Sequence, residues 1–282
     1  MSILHRITSG TRFPSLGLAV GSVCVLGVLV PGAVLWLAHL HVTFGIDIHA
    51  RLKPPTFLAH WLGTDPLGRD TLVFSLVGAV NSYAISCLSM VLALGLGTGL
   101  GILAAAAGQK TKIIANGVVE LGIAFPPIII AALLVTLCGA GVVQEICALA
   151  IFFIPGFVRL GQQAAANIYA QDYIAAARLS ALTPWRILLR HVVPNMVPGL
   201  LVQFSVNVAL AMLAETGLSY LGLGAPPPLP ELGRILASYQ VHIYDYPHLV
   251  AVPGVVVVLL VLGTNMVGDG LRDRFARQER MS

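Results

Sequence analysis

Residues 77–107 read VGAVNSYAISCLSMVLALGLGTGLGILAAAA, an unbroken run without one Asp, Glu, Lys or Arg. A hydrocarbon core about 30 Å thick takes about 20 helical residues to cross. This run is longer than that, so it tilts or begins as an interfacial helix. Five further apolar runs surround it, at 16–40, 118–138, 142–158, 200–218 and 249–267. Across the 282 residues, 57% are hydrophobic, 10% are charged and the mean hydropathy is +0.89. Soluble domains carry about 25% charged residues, so this chain could not cover its own surface in water. Continuous apolar runs also argue against a β-barrel, whose strands alternate apolar and polar positions. The expected fold is an all-α integral membrane protein of six transmembrane helices in one domain, residues 1–282. Soluble enzymes, disordered chains and disulfide-stapled secreted domains are excluded.

Local composition adds detail. Pro126 and Pro127 in the third run and Pro155 in the fourth remove helix donors, so kinks or unwound turns are expected there. Gly95, Gly97, Gly99 and Gly101 in the second run suit close helix contact. Cys24, Cys87, Cys138 and Cys147 sit in or beside apolar runs without metal-ligand spacing, and read as small buried residues. The run at 16–40 is too long for a signal-peptide core and is expected to be a retained span.

Basic residues give an orientation. With the N-terminus inside, one side holds Arg6, Arg12, Lys110, Lys112, Arg159, Arg178, Arg186, Arg190, Arg272, Arg274, Arg277 and Arg280. The other holds Arg51, Lys53, Arg69 and Arg234. Under the positive-inside rule both termini are cytoplasmic. The same rule accounts for the net charge of +4, so no nucleic-acid partner is called for. The outer loops are then about 41–75 and 219–248, and the one substantial inner loop is about 159–195.

That inner loop contains Gln171-Asp172-Tyr173-Ile174-Ala175-Ala176-Ala177-Arg178-Leu179-Ser180-Ala181-Leu182-Thr183-Pro184-Trp185-Arg186 and continues to Pro194. Its alanine-rich half favours helix, with Asp172 placed to cap or favour the start. Thr183 followed by Pro184 is a second start signal. Two short helices are expected, meeting near Ala181–Leu182 and ending at Pro194 before the fifth span. Such an element suits a groove on a partner, or alternatively lies on the lipid surface.

The loop resembles the cytoplasmic coupling loop of ATP-binding-cassette (ABC) importer permeases, whose motif is Glu-Ala-Ala, three residues, Gly, nine residues, then Ile-x-Leu-Pro. Its Ala-Ala falls on Ala176 and Ala177 and its final proline on Pro194. Three further motifs resemble the second (C-type) permease of the dipeptide/oligopeptide/nickel branch. They are Leu62-Gly63-Thr64-Asp65-Pro66-Leu67-Gly68-Arg69-Asp70, Ala214-Glu215-Thr216-Gly217-Leu218-Ser219-Tyr220-Leu221-Gly222-Leu223-Gly224, and Gly268-Asp269-Gly270-Leu271-Arg272-Asp273. The resemblance runs from about residue 60 to 274. It departs at Ala175, where the family has glutamate, and at Ala181, where it has glycine.

The resemblance implies a type I ABC importer permease in a bacterial plasma (inner) membrane, translocating short peptides or a related small solute. The implied partners are a homologous second permease forming a heterodimer, two ATP-binding subunits and an extracytoplasmic solute-binding protein, besides membrane lipid. ATP and magnesium would sit on the ATP-binding subunits, because this chain has no Gly-x-x-x-x-Gly-Lys-Ser/Thr loop. Docking to those subunits would use Asp172, Tyr173, Ala175, Ala176, Ala177, Arg178, Ala181, Thr183, Pro184 and Arg186.

Gln203 and Asn207 share one face of the fifth span, continued by Ala211 and Ala214. They either line the passage or hydrogen-bond between helices. Glu215, near the outer end of that span, is expected to hold backbone donors of the following loop. Asp65, Arg69 and Asp70 form a charge cluster at the outer mouth, expected to be a salt-bridged, turn-forming network. His39, His41, His49, His60, His242 and His248 fall on the outer side and suggest a nickel importer as an alternative, but no ligand spacing among them defines a metal site. No catalytic constellation is visible, so no enzyme is expected. A secondary transporter independent of ATPase partners is the alternative of another class. It calls for intramembrane acids, and only Glu120 and Glu145 come close, both near span ends.

Overall fold

The computed structural model of the chain describes residues 14–39, 46–56, 60–106 and 109–281. The expected positions Arg6, Arg12, Leu40, His41 and Ala107 lie outside them, as do the side chains of His39, Lys110 and Arg280. The chain forms α1 (Pro14–His39), α2 (Thr71–Ala106), α3 (Gln109–Ala124), α4 (Pro127–Cys138), α5 (Val142–Tyr169), α6 (Asp172–Leu179), α7 (Pro184–Ile187), α8 (Val193–Tyr220), α9 (Leu232–Tyr239) and α10 (Pro247–Met281). Among the described residues, five helical stretches are long and apolar enough to cross a membrane: Leu16–Ala38, Thr71–Ala106, Val142–Tyr169, Pro184–Tyr220 and Pro247–Arg277.

The third expected span is not one helix. It breaks at Phe125–Pro126 into α3, of 16 residues, and α4, of 12. Pro126 has extended backbone and Pro127 opens α4 at its first turn, where a missing N–H costs nothing. Pro155 behaves differently, because α5 runs through it and packs it against Gly122. The other spans are longer than hydropathy suggested. Helix α2 starts at Thr71, not Val77, because Asp70 Oδ1 accepts from the N–H groups of Leu72 and Val73, both at 3.0 Å. Its serines stay satisfied inside the bundle, with the Ser75, Ser86 and Ser89 hydroxyls each donating to the carbonyl four residues back.

The helices α2 and α5 run parallel in the most extensive contact of the molecule, and α1 lies along α10. Gly97 and Gly101 make the first contact possible. A Cβ on Gly97 would stand 2.6 Å from Phe157 Cβ, and one on Gly101 would meet the Val158 carbonyl. Gly95 and Gly99 face open space, so only the pair four apart serves the close contact that all four were expected to make. Below it, Met90, Ala93, Phe157, Val208 and Ala211 form a buried apolar cluster between α2, α5 and α8. Outward-facing side chains such as Leu88, Leu92, Leu96 and Leu103 remain exposed, as a lipid-facing surface requires.

The two ends of the bundle differ in kind. One, the capped end, carries residues 46–70, the starts of α2, α5 and α10, the end of α8, and α9. The expectation of a plain loop over 219–248 missed α9, which packs on α8 with Gly233 against the Thr216 carbonyl. The other, the hairpin end, carries α6 and α7 between α5 and α8.

Candidate functional site

At the hairpin end, α5 stops at Tyr169 and Gln171 becomes the N-cap of α6. Asp172 is therefore the first helical residue and acts through the helix dipole, not as a capping side chain. Helix α6 closes with the Leu182 N–H donating to the Ala177 carbonyl at 3.3 Å and the Ala181 N–H to the Arg178 carbonyl at 3.0 Å. This paired bonding is a Schellman closure and puts Ala181 in the left-handed region, at φ +56°. A left-handed residue with a Cβ costs about 1–2 kcal/mol, so the geometry requires glycine-like backbone where this chain has alanine.

Thr183 is the N-cap of α7 and Pro184 its first residue, but the Thr183 side chain makes no capping bond. The second helix does not end at Pro194. It passes through a π-helical turn at Leu188–Val192 directly into α8. The ring of Pro194 cannot donate and would crowd the carbonyl of Arg190 in a regular α-turn, and a wider turn relieves both problems.

Two isoleucines seat the hairpin. Ile174 from α6 and Ile187 from α7 are buried with Ala165, Val192 and Met196, and Ala177 packs against them. Tyr173 accepts a 3.3 Å hydrogen bond from Asn195 Nδ2, and the Arg178 guanidinium lies 5.8 Å from the Tyr169 ring centre. Asp172, Ala175, Ala176, Arg178, Ala181, Thr183, Pro184 and Arg186 are exposed. So are Leu179 at 90% and Trp185 at 67%, which no motif singled out. Large apolar side chains exposed outside the lipid-facing helices are what a partner surface would need.

At the capped end, Asp65 is fully buried and organises its loop. Its Oδ1 accepts from the N–H groups of Leu67 and Arg69, both at 2.8 Å, and its Oδ2 pairs with the Arg69 guanidinium at 2.6 Å. The Tyr239 hydroxyl also donates to Oδ2, at 3.2 Å, which ties α9 to this loop. Burial first, and the Asp65 charge second, push the Tyr239 hydroxyl well above the ordinary tyrosine range. Arg69 stacks 3.8 Å over the Phe74 ring, and Asp70 meets His60 Nδ1 at 3.1 Å. The three charged residues thus share a bonded, turn-forming arrangement. Among the described residues the histidines do not converge: His60 turns to Asp70, while His242 and His248 each meet the Tyr246 ring edge-on.

Glu215 does not hold the following loop. That task falls to Glu231, which the sequence reading missed. Glu231 accepts from the Ser219 hydroxyl and, at 3.0 Å, from the Ala225 N–H. The loop itself leaves α8 through Gly222, at φ +81°, with the Leu223 N–H donating to the Leu218 carbonyl at 3.0 Å. Asn81 and Ser82 on α2 fix the far side, Asn81 Nδ2 donating to the Pro230 carbonyl at 2.8 Å and Ser82 Oγ accepting from the Leu232 N–H at 3.1 Å. Glu215, Glu231 and Glu145 come together with one carboxylate oxygen of each within 4.8 Å of the others. Among the described residues they are the one set of three or more His, Cys, Asp or Glu side chains close enough to hold a metal ion. Glu145 is therefore not a stray acid near a span end, whereas Glu120 is exposed on α3.

Gln203 Nε2 donates to Asn207 Oδ1 at 3.0 Å, a bond along one helix and not between helices. Asn207 and Ala211 are buried, Ala211 within the Met90–Phe157 cluster, which removes Ala211 from a passage wall. Gln203 alone of the three remains partly exposed.

Comparison with known proteins places this arrangement. Residues 97–281 match the family of binding-protein-dependent transport system inner membrane components. The chain is 37% identical over 224 residues to the glutathione transport system permease protein GsiD of Pectobacterium atrosepticum, covering 79% of this chain and 74% of that protein. It is 34% identical over 223 residues to the dipeptide transport system permease protein DppC of Alkalihalophilus pseudofirmus, covering 79% and 73%. A solved structure of the inward-facing MetNI methionine ABC transporter aligns with a TM-score of 0.59 at 20% identity, covering 73% of this chain and 95% of that one. An amino acid ABC transporter aligns at 0.54 and 16% identity, covering 71% and 94%. These structures share the fold. Family membership sets aside the reading as a secondary transporter and makes the chain a multi-pass inner-membrane subunit that works with ATPase and binding-protein partners. The chain belongs to the binding-protein-dependent inner membrane components and is a transmembrane permease subunit of an ABC importer.

Proposed function

We propose that this chain pairs with a homologous second permease and passes short peptides inward, driven by two ATP-binding subunits that dock on the α6–α7 hairpin. The observation that carries the docking is the hairpin itself: an exposed element presenting Leu179 and Trp185, seated by Ile174 and Ile187, and joined to α8 without a loop. Arg178 and Arg186 flank those apolar groups and supply positive charge to the contact, and the exposed Asp172 is the acid nearest the missing family glutamate at Ala175. The substrate class rests on the names of the relatives, which include dipeptide, di/tripeptide and glutathione systems. ATP and magnesium bind the partner subunits and not this chain. Both termini and the hairpin face the cytoplasm, with the capped end facing the solute-binding protein. Gln203 is the residue of the fifth span that meets the passage.

The test is ATP-driven uptake of labelled di- and tripeptides by the complete importer in proteoliposomes. The double substitution Leu179→Asp with Trp185→Asp should reduce uptake at least about tenfold while the two permeases still co-purify. Full uptake by that variant would remove the hairpin from the docking surface. A Thr183→Cys variant should react with a membrane-impermeant maleimide only from the cytoplasmic side, and labelling from the other side would reverse the orientation.

A further inference from the structure

The capped end holds an acidic centre that the docking and passage described above do not use. Glu215 at the end of α8 and Glu231 at the start of α9 are both fully buried. Glu145, one turn into α5, is 1% exposed and approaches the same point. Neither oxygen of Glu145 has a donor from outside the cluster, its close polar neighbour being the Glu231 carboxyl, and Glu215 Oε1 has no hydrogen-bond partner. Of the neighbouring donors only the Ser82 hydroxyl, which accepts from the Leu232 N–H, turns its own proton to Glu215, and the others are spent elsewhere. The Ser219 hydroxyl goes to Glu231, the Ser86 hydroxyl to the Ser82 carbonyl, the Leu232 N–H to Ser82 Oγ and the Asn81 amide to Pro230. The Thr216 hydroxyl, 2.8 Å from the Met212 carbonyl, reaches only the other Glu215 oxygen, at 3.3 Å.

Charge is equally short. The one cation acting on Glu145 is Arg234, which makes no ion pair within the described residues and whose Nε is itself without a partner. Buried carboxylates without partners are strongly disfavoured unless something neutralises them. Two arrangements do so: protons shared among the carboxyls, or a bound cation. Carboxylates from two helices, each with an oxygen that no donor reaches, meeting at one point favour the cation. Hard divalent cations take oxygen ligands at about 2.3–2.6 Å, and one carboxylate oxygen from each of the three residues lies close enough to the other two to share such an ion. Each Glu231 oxygen keeps a lone pair after accepting its one bond, and Ser82 beside Glu215 adds a hydroxyl oxygen. No soft ligand, thiol or imidazole, belongs to the set, which selects the calcium class over zinc or nickel.

We propose that Glu145, Glu215 and Glu231 form a binding site for a hard divalent cation of the calcium type, which locks α5, α8 and α9 together at the capped end. The site is a property of this chain and is read by binding, not by transport, so it stands or falls separately from the peptide-import reading. The experiment uses the complete importer purified in nanodiscs and stripped with chelator, with calcium as the probe in equilibrium binding and thermal unfolding. The wild-type complex should bind one calcium ion per copy of this chain and unfold at a higher temperature when it is added. Glu145→Gln together with Glu215→Gln should weaken binding at least about tenfold and abolish the calcium-dependent shift. If the double variant fails to assemble, Glu145→Asp keeps the charge and shortens the reach, and should weaken binding in an assembled complex. The proposal is overturned if the wild type binds no calcium, if either variant binds as tightly as wild type, or if acidification alone reproduces the stabilisation while calcium adds nothing.

Discussion

The capped end and the hairpin end are built from the same chain by opposite means. The capped end spends polar groups inside the protein: Asp65 satisfies two backbone donors, an arginine and a tyrosine, and Glu231 satisfies a serine and a loop amide. The hairpin rests on two buried isoleucines and leaves a tryptophan, a leucine and two arginines facing outward. An end held by internal hydrogen bonds keeps its shape alone, whereas an end held by two apolar anchors leaves its remaining surface for a partner. That division suits a subunit that must be firm on one side and responsive on the other.

The contrast can be broken most sharply at Asp65. Asp65→Ala removes the partner of a half-buried arginine and strands buried donors, and should cost about 3–5 kcal/mol. The measurement is the unfolding temperature of the purified complex, and a loss below 1 kcal/mol would mean that the network is not what holds this end. At the opposite end Ile174→Ala should cost about 2–5 kcal/mol, but locally. Hydrogen exchange should speed up over residues 172–183 while α2 and α5 stay protected, and an equal rise across the bundle would erase the distinction between the ends.

Tyr239 sharpens the comparison through pH. Below about 10, the ordinary tyrosine value, its hydroxyl is protonated in folded and unfolded chains alike, and the bond to Asp65 stands. Above it the unfolded chain releases the proton while the folded one, with its pKa raised by burial, retains it. Stability should therefore fall by up to about 1.4 kcal/mol per pH unit as pH rises past that point. Tyr239→Phe should flatten that alkaline slope. Equal slopes in the two proteins would detach Tyr239 from the effect.

The smallest effect belongs to Ala181→Gly. Relief of the left-handed alanine is worth about 1–2 kcal/mol, and the added freedom of the unfolded chain returns about 0.4–1. The net gain of about 0.5–1 kcal/mol should appear as slower exchange at Ala181 and Leu182, and faster exchange there would contradict the Schellman closure.

The sequence conveys these features unevenly. Long apolar runs announce α1, α2, α5, α8 and α10, because lipid imposes a length and a composition on whatever crosses it. Helix starts are less visible. Thr71, Ser75, Asn81 and Ser82 dilute the hydropathy of α2, yet they lie inside the bundle with their polar atoms mostly bonded to backbone. The hairpin was legible through Ala176, Ala177 and Pro194, and its turn through the Ala181 position. Its continuity with α8 was not, since proline usually signals an end and a π-turn is what permits passage. The three glutamates were the least legible. They sit at 145, 215 and 231 with no spacing motif, and only the docking of α9 onto α8 and α2 brings the third beside the others.

One consequence follows from Gly97 and Gly101. At Gly101 main chain meets main chain, and at Gly97 it meets Phe157 Cβ and the Ile154 carbonyl, atoms that no rotamer change can move, so the two rods cannot slide. Any rearrangement that opens a route through the membrane must carry α2 and α5 as a single piece. The slack has to be found at other seams, such as the broken joint at Phe125–Pro126.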